Sequence, residues 1–334
     1  LLCRGKNSIN QKLKKKLALF TNVPENAVFS AVDAESIYDI PILFREQKID
    51  ELMLNQFKLK SKRLNLSPWN NYRSKAGKCK KTVKIAMIGK YVDLADSYKS
   101  LNEALYHAGI INNRLVEITY LDSEKITKAN VKKLKAMDGI LVPGGFGNRG
   151  IEGKILAAQY ARINKIPYLG ICLGMQISVI EFARNVLKLK NANSTEFNSK
   201  TKYPVVALVD EWKDSSGKKI ISDKKNMGGT MRLGSQDCTL SKGSLAYKMY
   251  EKLAINERHR HRYEVNDSLL GLFDGSGLKF SGKSKKGNLM EMIELKGHPW
   301  YLGCQFHPEF TSSPISGHPL FNGFIAASKK KRKL

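Results

Sequence analysis

The sequence predicts an α/β fold built on a mixed, largely parallel sheet flanked by helices. Between residues 82 and 187, short apolar runs alternate with helical periodicities, as in parallel sheets that are covered on both faces. After residue 202 the predicted strands follow one another more densely. The apolar runs are far shorter than the roughly 20 residues of a transmembrane helix, so no membrane span is predicted.

The individual elements follow from apolar periodicity and from the glycines and prolines between the runs. Strands are predicted at 83–88, 116–121, 138–142, 166–171, 204–209, 262–265, 288–295 and 301–306. Helices are predicted at 12–20, 36–43, 49–57, 98–108, 151–163 and 173–187. Gly109 is expected to end the helix at 98–108. Such a sheet binds ligands at the carboxyl ends of its parallel strands, beside the topological switch point.

Four segments are predicted along the chain. Residues 1–57 carry helical patterns but too little apolar surface for an independent core. Residues 58–81 hold nine basic residues and no acidic ones, which indicates a basic linker. Residues 82–328 form the main domain, and the basic run 329–334 is expected to be a frayed, solvated tail. Because the sequence opens at Leu1 without a Met, we expect a piece of a longer chain.

The net charge of +27, from 57 basic and 30 acidic residues, raises the question of nucleic-acid binding. More than half of this excess lies in 58–81 and 329–333. Polyanion binding is therefore an alternative rather than the main hypothesis. Five cysteines are too few for a disulfide scaffold and no signal peptide is visible, which predicts a reducing, cytoplasmic location.

The strongest candidate for a catalytic residue is Cys172, in a Gly-Ile-Cys-Leu-Gly run between a predicted strand and a predicted helix. At such a turn the sulfur faces the first amides of the helix, whose partial positive charge favours the thiolate. Gly170 and Gly174 permit the sharp turn and a close approach of substrate. The alternative, a small core residue, is less favoured because both glycines are present.

A cysteine nucleophile needs a base, and the base needs an orienting group. His307 and Glu309 follow the last predicted strand two residues apart, so they point the same way in extended chain. A surface turn is the alternative. The Gly-rich turn around Gly145 can supply a backbone amide to an oxyanion, with the amide of Leu173 as the second donor. The Walker pattern of a phosphate-binding loop is absent from the sequence.

These motifs, in this order, resemble the class I glutamine amidotransferases, and among them the CTP synthase family. The stretches that carry the resemblance are VPGGFGNRGIEGK (142–154), YLGICLGMQ (168–176), NANSTEF (191–197), GGTMRLG (228–234), ERHRHRYEVN (257–266) and CQFHPEFTSSP (304–314). Upstream, 20–25 and 36–41 look like the end of that family's synthetase (amidoligase) domain. Residues 1–57 are therefore identified as a remnant of that domain, ahead of a class I glutamine amidotransferase domain.

The resemblance implies hydrolysis of glutamine through a glutamyl thioester, with Cys172 as nucleophile, His307 as base and Glu309 as its orienting group. The implied glutamine-binding residues are Gly145, Leu173, Gly174, Met175, Gln176, Glu196 and Arg262. Glu196 can pair with the substrate ammonium and Arg262 with its carboxylate; ordinary surface salt bridges are the alternative. The glutaminase step is expected to need no cofactor.

In the family, the ammonia serves an ATP- and Mg²⁺-dependent amination of UTP to CTP, with GTP as an allosteric activator. Lys16 is implied to contact the pyrimidine nucleotide, and Asp33 and Ala34 lie where the family touches ATP. The main ATP site is expected outside this chain, with no metal ligands in it. The chain alone is therefore expected to carry only the glutaminase half, and a homotetramer is implied for the full-length enzyme.

An expected role or structure can be given to two further motifs. Residues 228–234 resemble a mobile lid linked to GTP activation, with Arg149 and Arg232 as nucleotide or lid contacts. The alternating Arg and His residues at 258–262 predict a strand with one packed face and one face at the active site, because the ligand set expected for zinc is absent. The remaining cysteines are interpreted as structural: Cys3, Cys79, Cys238 and Cys304.

Three other functions are compatible with parts of the sequence. A non-catalytic regulatory or assembly module would have lost a triad residue, yet all three are present. A polyanion-binding protein would act through 58–81 and the tail, with steep salt dependence. A stand-alone amide or peptide hydrolase would accept substrates that lack the free amino and carboxylate groups of glutamine.

Overall fold

A computed structural model describes residues 1–61, 64–90, 95–208, 211–213, 219–221, 231–285 and 289–331. The chain divides into two compact units, Leu1–Lys78 and Cys79–Leu334. Across the described ranges, no helix is long and apolar enough to cross a membrane.

The first unit combines short strands with helices. Its elements are β1 (Leu2–Gly5), α1 (Gln11–Thr21), β2 (Phe29–Val32), α2 (Ile40–Glu46), α3 (Ile49–Gln56) and α4 (Ser67–Lys78). Strands β1 and β2 pair in parallel. The side chain of Asn10 accepts a hydrogen bond from the Leu13 amide and so caps α1. The helices predicted at 12–20 and 49–57 are confirmed.

Helix α4 lies inside the stretch 58–81 that was expected to be a basic linker, and no helix was predicted there. Tyr72 of this helix is buried, and its ring meets Tyr38 edge-on at 5.1 Å. The indole nitrogen of Trp69 donates to the Tyr38 carbonyl at 2.5 Å. Trp69 and Tyr72 are one turn apart on one helical face, too short a pattern to stand out among Lys, Ser and Asn.

The second unit is built on a nine-stranded sheet among its described residues. The strands of the whole second unit, in this sheet and in two smaller ones, are β3 (Thr82–Gly89), β4 (Leu115–Asp122), β5 (Gly139–Val142), β6 (Tyr168–Ile171), β7 (Ala192–Ser194), β8 (Tyr203–Leu208), β9 (Glu211–Lys213), β10 (Lys219–Ile221), β11 (Arg232–Leu240), β12 (Ala254–His261), β13 (Tyr263–Val265), β14 (Leu278–Ser284), β15 (Met290–Leu295) and β16 (Tyr301–Cys304). Its helices are α5 (Lys99–Ile111), α6 (Ile151–Ile163), α7 (Leu173–Asn185), α8 (Leu245–Tyr250) and α9 (Pro319–Lys331).

The large sheet has the order β12-β11-β14-β15-β16-β6-β5-β3-β4. From β16 to β4 the neighbours are parallel, and from β12 to β16 they are antiparallel. The predicted α/β fold is confirmed. Strands β7, β8 and β13 form a small second sheet, and β9 pairs with β10. The carboxyl ends of β5, β6 and β16 therefore lie side by side, where the sequence places its candidate residues.

Both faces of the parallel strands are covered, as the sequence predicts. Along β3, Ile85 and Met87 belong to the apolar cluster that includes residues of α5 and α9. Ala86 and Ile88 point the other way and belong to the cluster that includes residues of α6 and α7. Because both faces of the sheet are packed, the strands are held in place, and so are the loops at their carboxyl ends where the candidate site lies.

Gly109 does not end α5, which continues to Ile111. A Cβ at Gly109 would lie 2.8 Å from the Arg114 carbonyl oxygen and 2.6 Å from Val116 Cγ2. The glycine therefore serves the close approach of the helix to the start of β4, and the predicted stop at this residue is wrong.

Helix α9 extends through Lys331, so the predicted frayed tail is wrong as far as the structure describes it. Ser328 is buried, and the Lys329 ammonium donates to the Asn112 carbonyl at 3.1 Å. The Lys331 ammonium donates to the Lys135 carbonyl at 3.3 Å. Lysines in the last turn also interact favourably with the helix dipole. Residues 332–334 lie outside the described ranges.

Candidate active site

Cys172 occupies a sharp turn between β6 and α7. Its backbone has φ 51° and ψ −103°, a conformation that costs free energy for any residue with a Cβ. A Cβ at Gly170 would lie 2.5 Å from the Gly174 carbonyl oxygen, and one at Gly174 would lie 2.1 Å from that of Val142. Both glycines are thus required sterically, and the predicted strand–turn–helix junction is confirmed.

The Cys172 sulfur is buried, and two groups from neighbouring elements approach it. The Gln305 side-chain amide donates to the sulfur at 3.6 Å, and the Arg260 carbonyl oxygen is 4.0 Å from it. The Cys172 backbone amide donates to the Cys304 carbonyl at 2.7 Å. The nucleophile candidate is therefore tied to the end of β16 as well as to its own turn.

His307 and Glu309 form the pair that the sequence predicts. Glu309 Oε1 accepts a hydrogen bond from His307 Nδ1 at 2.7 Å, so Nε2 is the ring nitrogen that remains for a proton transfer. Burial lowers the pKa of His307, but its interactions with Cys172 and Glu309 outweigh burial and raise the pKa to about 10. At neutral pH the ring is therefore a cation that can donate a proton.

A cavity of about 330 Å³ joins these groups. Its lining residues are Lys90, Ser97, Tyr98, Leu101, Gly144, Gly145, Phe146, Lys154, Cys172, Arg260, His307, Glu309 and Phe310. A Cβ at Gly144 would lie 2.7 Å from His307 Cε1 and 3.5 Å from the Cys172 Cβ, so glycine lets the two side chains approach. A Cβ at Gly145 would lie 3.5 Å from Leu173 Cδ2, so the Leu173 side chain packs close to the Gly-rich turn.

Glu196 and Arg262 meet at the same Gly-rich turn. The Gly147 amide donates to Glu196 Oε1 at 2.7 Å, and the Arg262 guanidinium lies over the Phe146 ring at 5.7 Å. Burial raises the pKa of Glu196, against the opposing influence of the Gly147 amide and of nearby cations. The two groups predicted to hold a substrate ammonium and a carboxylate are thus near one another.

Lys154 is a site residue that was not predicted. It is 1% exposed and lines the cavity. Burial, together with the charges of Lys90 and Arg149, lowers its pKa to about 7. The signal was available, because Lys154 shares the buried face of α6 with Ile151 and Ile155. A lysine at a core position of an amphipathic helix indicates a functional role for its side chain.

The side chains of Met175 and Gln176 face the protein interior. Met175 is fully buried, and the Gln176 amide donates to the Tyr263 carbonyl at 2.7 Å and to Gln305 Oε1 at 3.2 Å. Of the implied glutamine-binding segment, these two residues would therefore contribute backbone groups.

The implied nucleotide-binding residues lie in the first unit. The Lys16 ammonium lies 5.9 Å from the centre of the Phe20 ring, and Asp33 forms an exposed ion pair with Arg4 at 2.7 Å. Ala34 follows Asp33 after β2. Within the ranges that the structure describes, no hydrogen bond or ion pair joins Lys16 to Asp33, and no group of three or more His, Cys, Asp or Glu could hold a metal ion.

Arg232 is buried beside two carboxylates. Its side chain is 3% exposed and pairs with Glu264 at 2.5 Å and with Glu291 at 3.0 Å. It belongs to the buried packing of β11, and its expected role as a nucleotide or lid contact stays a prediction. Arg149 is half-exposed and pairs with Glu124 at 3.1 Å. Residues 228–230 of the implied lid lie outside the described ranges.

Comparison with known proteins agrees with this geometry. Residues 93–327 match the family model described as glutamine amidotransferase class-I, and residues 1–59 match the model described as CTP synthase N-terminus. The glutaminase domain of Trypanosoma brucei CTPS, solved with bound acivicin, is 39% identical, with a TM-score of 0.67 and an alignment that covers 75% of this chain and 94% of that one. The chain belongs to the class I glutamine amidotransferase family. The model matched by residues 1–59 and the 39% identical glutaminase domain are both those of CTP synthases.

Two other solved structures are more distant. A glutamine amidotransferase from Methylobacillus flagellatus is 11% identical, with a TM-score of 0.40 over 69% of this chain and 70% of that one. A ThuA-like protein from Bacteroides uniformis is 9% identical, with a TM-score of 0.40 over 75% of this chain and 92% of that one. Similarity at this level supports no conclusion about fold or function.

Proposed function

We propose that this protein hydrolyses the side-chain amide of glutamine and releases ammonia. The observation that carries the proposal is the meeting of Cys172, at its strained turn, with the His307–Glu309 pair in one cavity. A sulfur nucleophile, a protonated imidazole and an orienting carboxylate are the groups that acyl transfer from an amide requires.

The reaction follows from these positions. The Cys172 thiolate attacks the carboxamide carbon, and the backbone amides of Gly145 and Leu173 stabilise the oxyanion. The His307 imidazolium protonates the leaving nitrogen, which departs as ammonia and leaves a glutamyl thioester. Neutral His307 then takes a proton from water as the water attacks the thioester. Glutamate departs, and the thiolate and the imidazolium are restored.

Recognition of the amino-acid end of glutamine is assigned to Glu196 and Arg262. The carboxylate of Glu196 is half-buried at the Gly-rich turn and can pair with the substrate ammonium, while Arg262 can bind the substrate carboxylate bidentately. These pairs would reject amides that lack the free amino-acid group, which is the difference from a general amide hydrolase.

The ammonia is proposed to serve an ATP- and Mg²⁺-dependent amination of UTP to CTP, with GTP as activator. This step rests on the match of residues 1–59 to the CTP synthase N-terminus. Lys16 is proposed for the pyrimidine nucleotide, and Asp33 and Ala34 for ATP. Asp33 pairs with Arg4 on the surface, and further residues are proposed to complete the nucleotide site.

The first test is ammonia release from glutamine, with and without GTP, by the unaltered chain and by Cys172→Ala. We expect a loss on the order of 10⁴-fold or more in the variant, because removal of a nucleophile leaves only binding and oxyanion contributions. Cys79→Ala is the matched control, since Cys79 is a buried cysteine outside the cavity. If no release occurs, a glutamine-derived electrophile is applied; absence of label on Cys172 would contradict the proposal.

A further inference from the structure

We propose that Gln305 is a positioning residue for the nucleophile, with its side-chain amide donating a hydrogen bond that holds the Cys172 sulfur in its anionic form. The proposal rests on the assignment of Cys172 as the nucleophile of glutamine hydrolysis. Gln305 follows β16 and lies two residues before His307. It is fully buried, and its Nε2 is 3.6 Å from the Cys172 sulfur.

The orientation of this amide is dictated by a chain of partners. The Tyr263 carbonyl can only accept a hydrogen bond, so the Gln176 group that faces it at 2.7 Å must be its NH₂. The same NH₂ faces Gln305 at 3.2 Å, so Gln305 must present its oxygen there. The Gln305 NH₂ then points at Cys172 and can only donate, which makes the sulfur the acceptor.

A donor aimed at sulfur favours the thiolate over the thiol. Hydrogen bonds to an ionised group are stronger than those between neutral groups, and the interaction is little screened at a buried site. Gln176 lies one helical turn after Cys172 and donates its backbone amide to the Cys172 carbonyl at 3.2 Å. The helix that starts at the nucleophile therefore also holds the residue that orients Gln305.

Gln305 is itself fixed by the sheet. Its backbone amide donates to the Glu291 carbonyl at 2.8 Å. The neighbouring Cys304 carbonyl accepts from the Cys172 amide, and the His307 amide donates to the Arg258 carbonyl at 2.8 Å. One short segment after β16 thus supplies both the amide donor and the proposed base.

The test measures how fast iodoacetamide alkylates Cys172 between pH 5 and 10, with the Cys172 peptide quantified by mass spectrometry in the full chain. The variants are Gln305→Glu and Gln305→Met, and the control is Ser178→Ala. Ser178 is also buried and donates to the Gly174 carbonyl at 3.0 Å, but it does not contact the sulfur. Thermal unfolding confirms that each variant is folded.

We expect Gln305→Glu to move the alkylation midpoint up by about one pH unit or more, because a carboxylate then replaces the donor. At pH values well below the midpoint of the unaltered protein, alkylation should fall by roughly tenfold. Gln305→Met, which is similar in volume, should move the midpoint in the same direction by less, and Ser178→Ala should leave it in place. If Gln305→Glu does not fold, Gln305→Met decides alone.

Unchanged midpoints in the folded Gln305 variants would overturn the inference, as would an equal shift in Ser178→Ala. Alkylation does not depend on glutamine turnover. If glutamine were not hydrolysed while the midpoint still moved, the proposed function would fail and the role of Gln305 toward the sulfur would stand. If glutamine turned over normally in Gln305→Met with an unchanged profile, the role of Gln305 would fail alone.

Discussion

Single residues in the site carry charges that are largely withdrawn from water. Lys154 is 1% exposed, and burial shifts the pKa of both Lys154 and Glu196 toward the neutral form of each group. Such shifts are typical of sites that bind or react with charged groups. They also make the stability and the affinity of the protein depend on pH in calculable directions.

Replacement of Lys154 by Met should stabilise the fold at neutral pH. The pKa of Lys154 falls from 10.5 to about 7 on folding, so the unfolded chain binds more protons between these values and the unfolding free energy rises with pH there. We expect Lys154→Met to gain about 1–4 kcal/mol at pH 6.5, and less at pH 9.5. Urea unfolding at both pH values measures the difference.

The control for this prediction is Lys133→Met, because Lys133 is an exposed lysine. It should change the unfolding free energy by less than about 0.5 kcal/mol at either pH. An equal loss of stability in Lys154→Met at pH 6.5 and 9.5 would show that the lysine contributes packing rather than a buried charge.

Replacement of Glu196 by Gln should weaken glutamine binding more than chemistry. We expect KM to rise roughly 10- to 100-fold with little change in kcat, because the ammonium loses its carboxylate partner in both ground and transition states. The pKa of Glu196 is raised, so in the unaltered protein KM should rise as pH falls through that raised value. The variant should lack this rise.

Glu152→Gln is the matched control, since the Glu152 side chain is 74% exposed and pairs with Arg184 on the surface. KM for glutamine should stay within about twofold of the starting value, as for a surface substitution away from the site. A KM that is insensitive to Glu196→Gln would remove this residue from the substrate site.

At the residue scale, sequence reasoning found the groups whose local context is diagnostic. Cys172 has two glycines that its turn requires, and Glu309 has the right spacing from His307. Gln305 has no such context, because its role depends on Gln176 and on a carbonyl 42 residues before it in β13. Contacts of that kind exist only after the sheet and the helix have been assembled.

Among the elements, β11 and β12 show which kind of strand is difficult to predict from the sequence. The strand predicted at 258–262 is confirmed with its packed face, since His259 and His261 are buried. Strand β11 was not predicted, because Arg232 and Gln236 are among its inward residues. Polar residues at inward positions interrupt the alternation of apolar and polar residues by which a strand is recognised. Arg232 finds carboxylate partners on two other strands, Glu264 of β13 and Glu291 of β15.

Removal of the cation in this cluster should destabilise the sheet. Arg232 pairs with Glu264 and Glu291, whose side chains are 1% and 0% exposed. We expect Arg232→Met to lower the unfolding free energy by about 3–5 kcal/mol, because it leaves buried carboxylates without their partner. Urea unfolding measures the loss.

The sheet offers a matched control in Lys285→Met. Lys285 pairs with Asp237 of β11 at 3.7 Å, but its side chain is 64% exposed. Removal of this surface pair should change the unfolding free energy by at most about 1 kcal/mol. Similar losses of unfolding free energy in both variants would mean that the buried Arg232 pairs contribute no more to stability than an exposed ion pair.

For the molecule as a whole, the two units differ in how much apolar core they possess. Among the described residues of the first unit, the buried apolar side chains are Ala18, Val28, Phe29, Ile49 and Tyr72. The second unit contains both large apolar clusters. The sequence predicted this asymmetry, with the main domain beginning at 82, but it ended the first segment at 57 and left 58–81 as a linker, because only folding reveals that α4 has a buried face.

Residues 79–334 should fold without the first unit. Every residue assigned to glutamine hydrolysis lies in this range, together with both core clusters. We expect a cooperative thermal transition within a few degrees of that of the second unit in the full chain, because its packing is internal. Circular dichroism of the isolated range provides the measurement.

The companion range 1–78 serves as the comparison. With so little buried apolar surface, it should show a broad, weakly cooperative transition on its own. A sharp transition for 1–78, or none for 79–334, would contradict this division of the stability between the units.

The backbone at Cys172 has an evolutionary consequence. Its positive φ is readily adopted by glycine and strained for any residue with a side chain, by about 1–3 kcal/mol. Glycine would relieve this strain while giving up the packing of a buried side chain, and the codons of cysteine and glycine differ by a single nucleotide. A descendant with glycine at this position would therefore keep the turn and lose the proposed nucleophile in one mutational step.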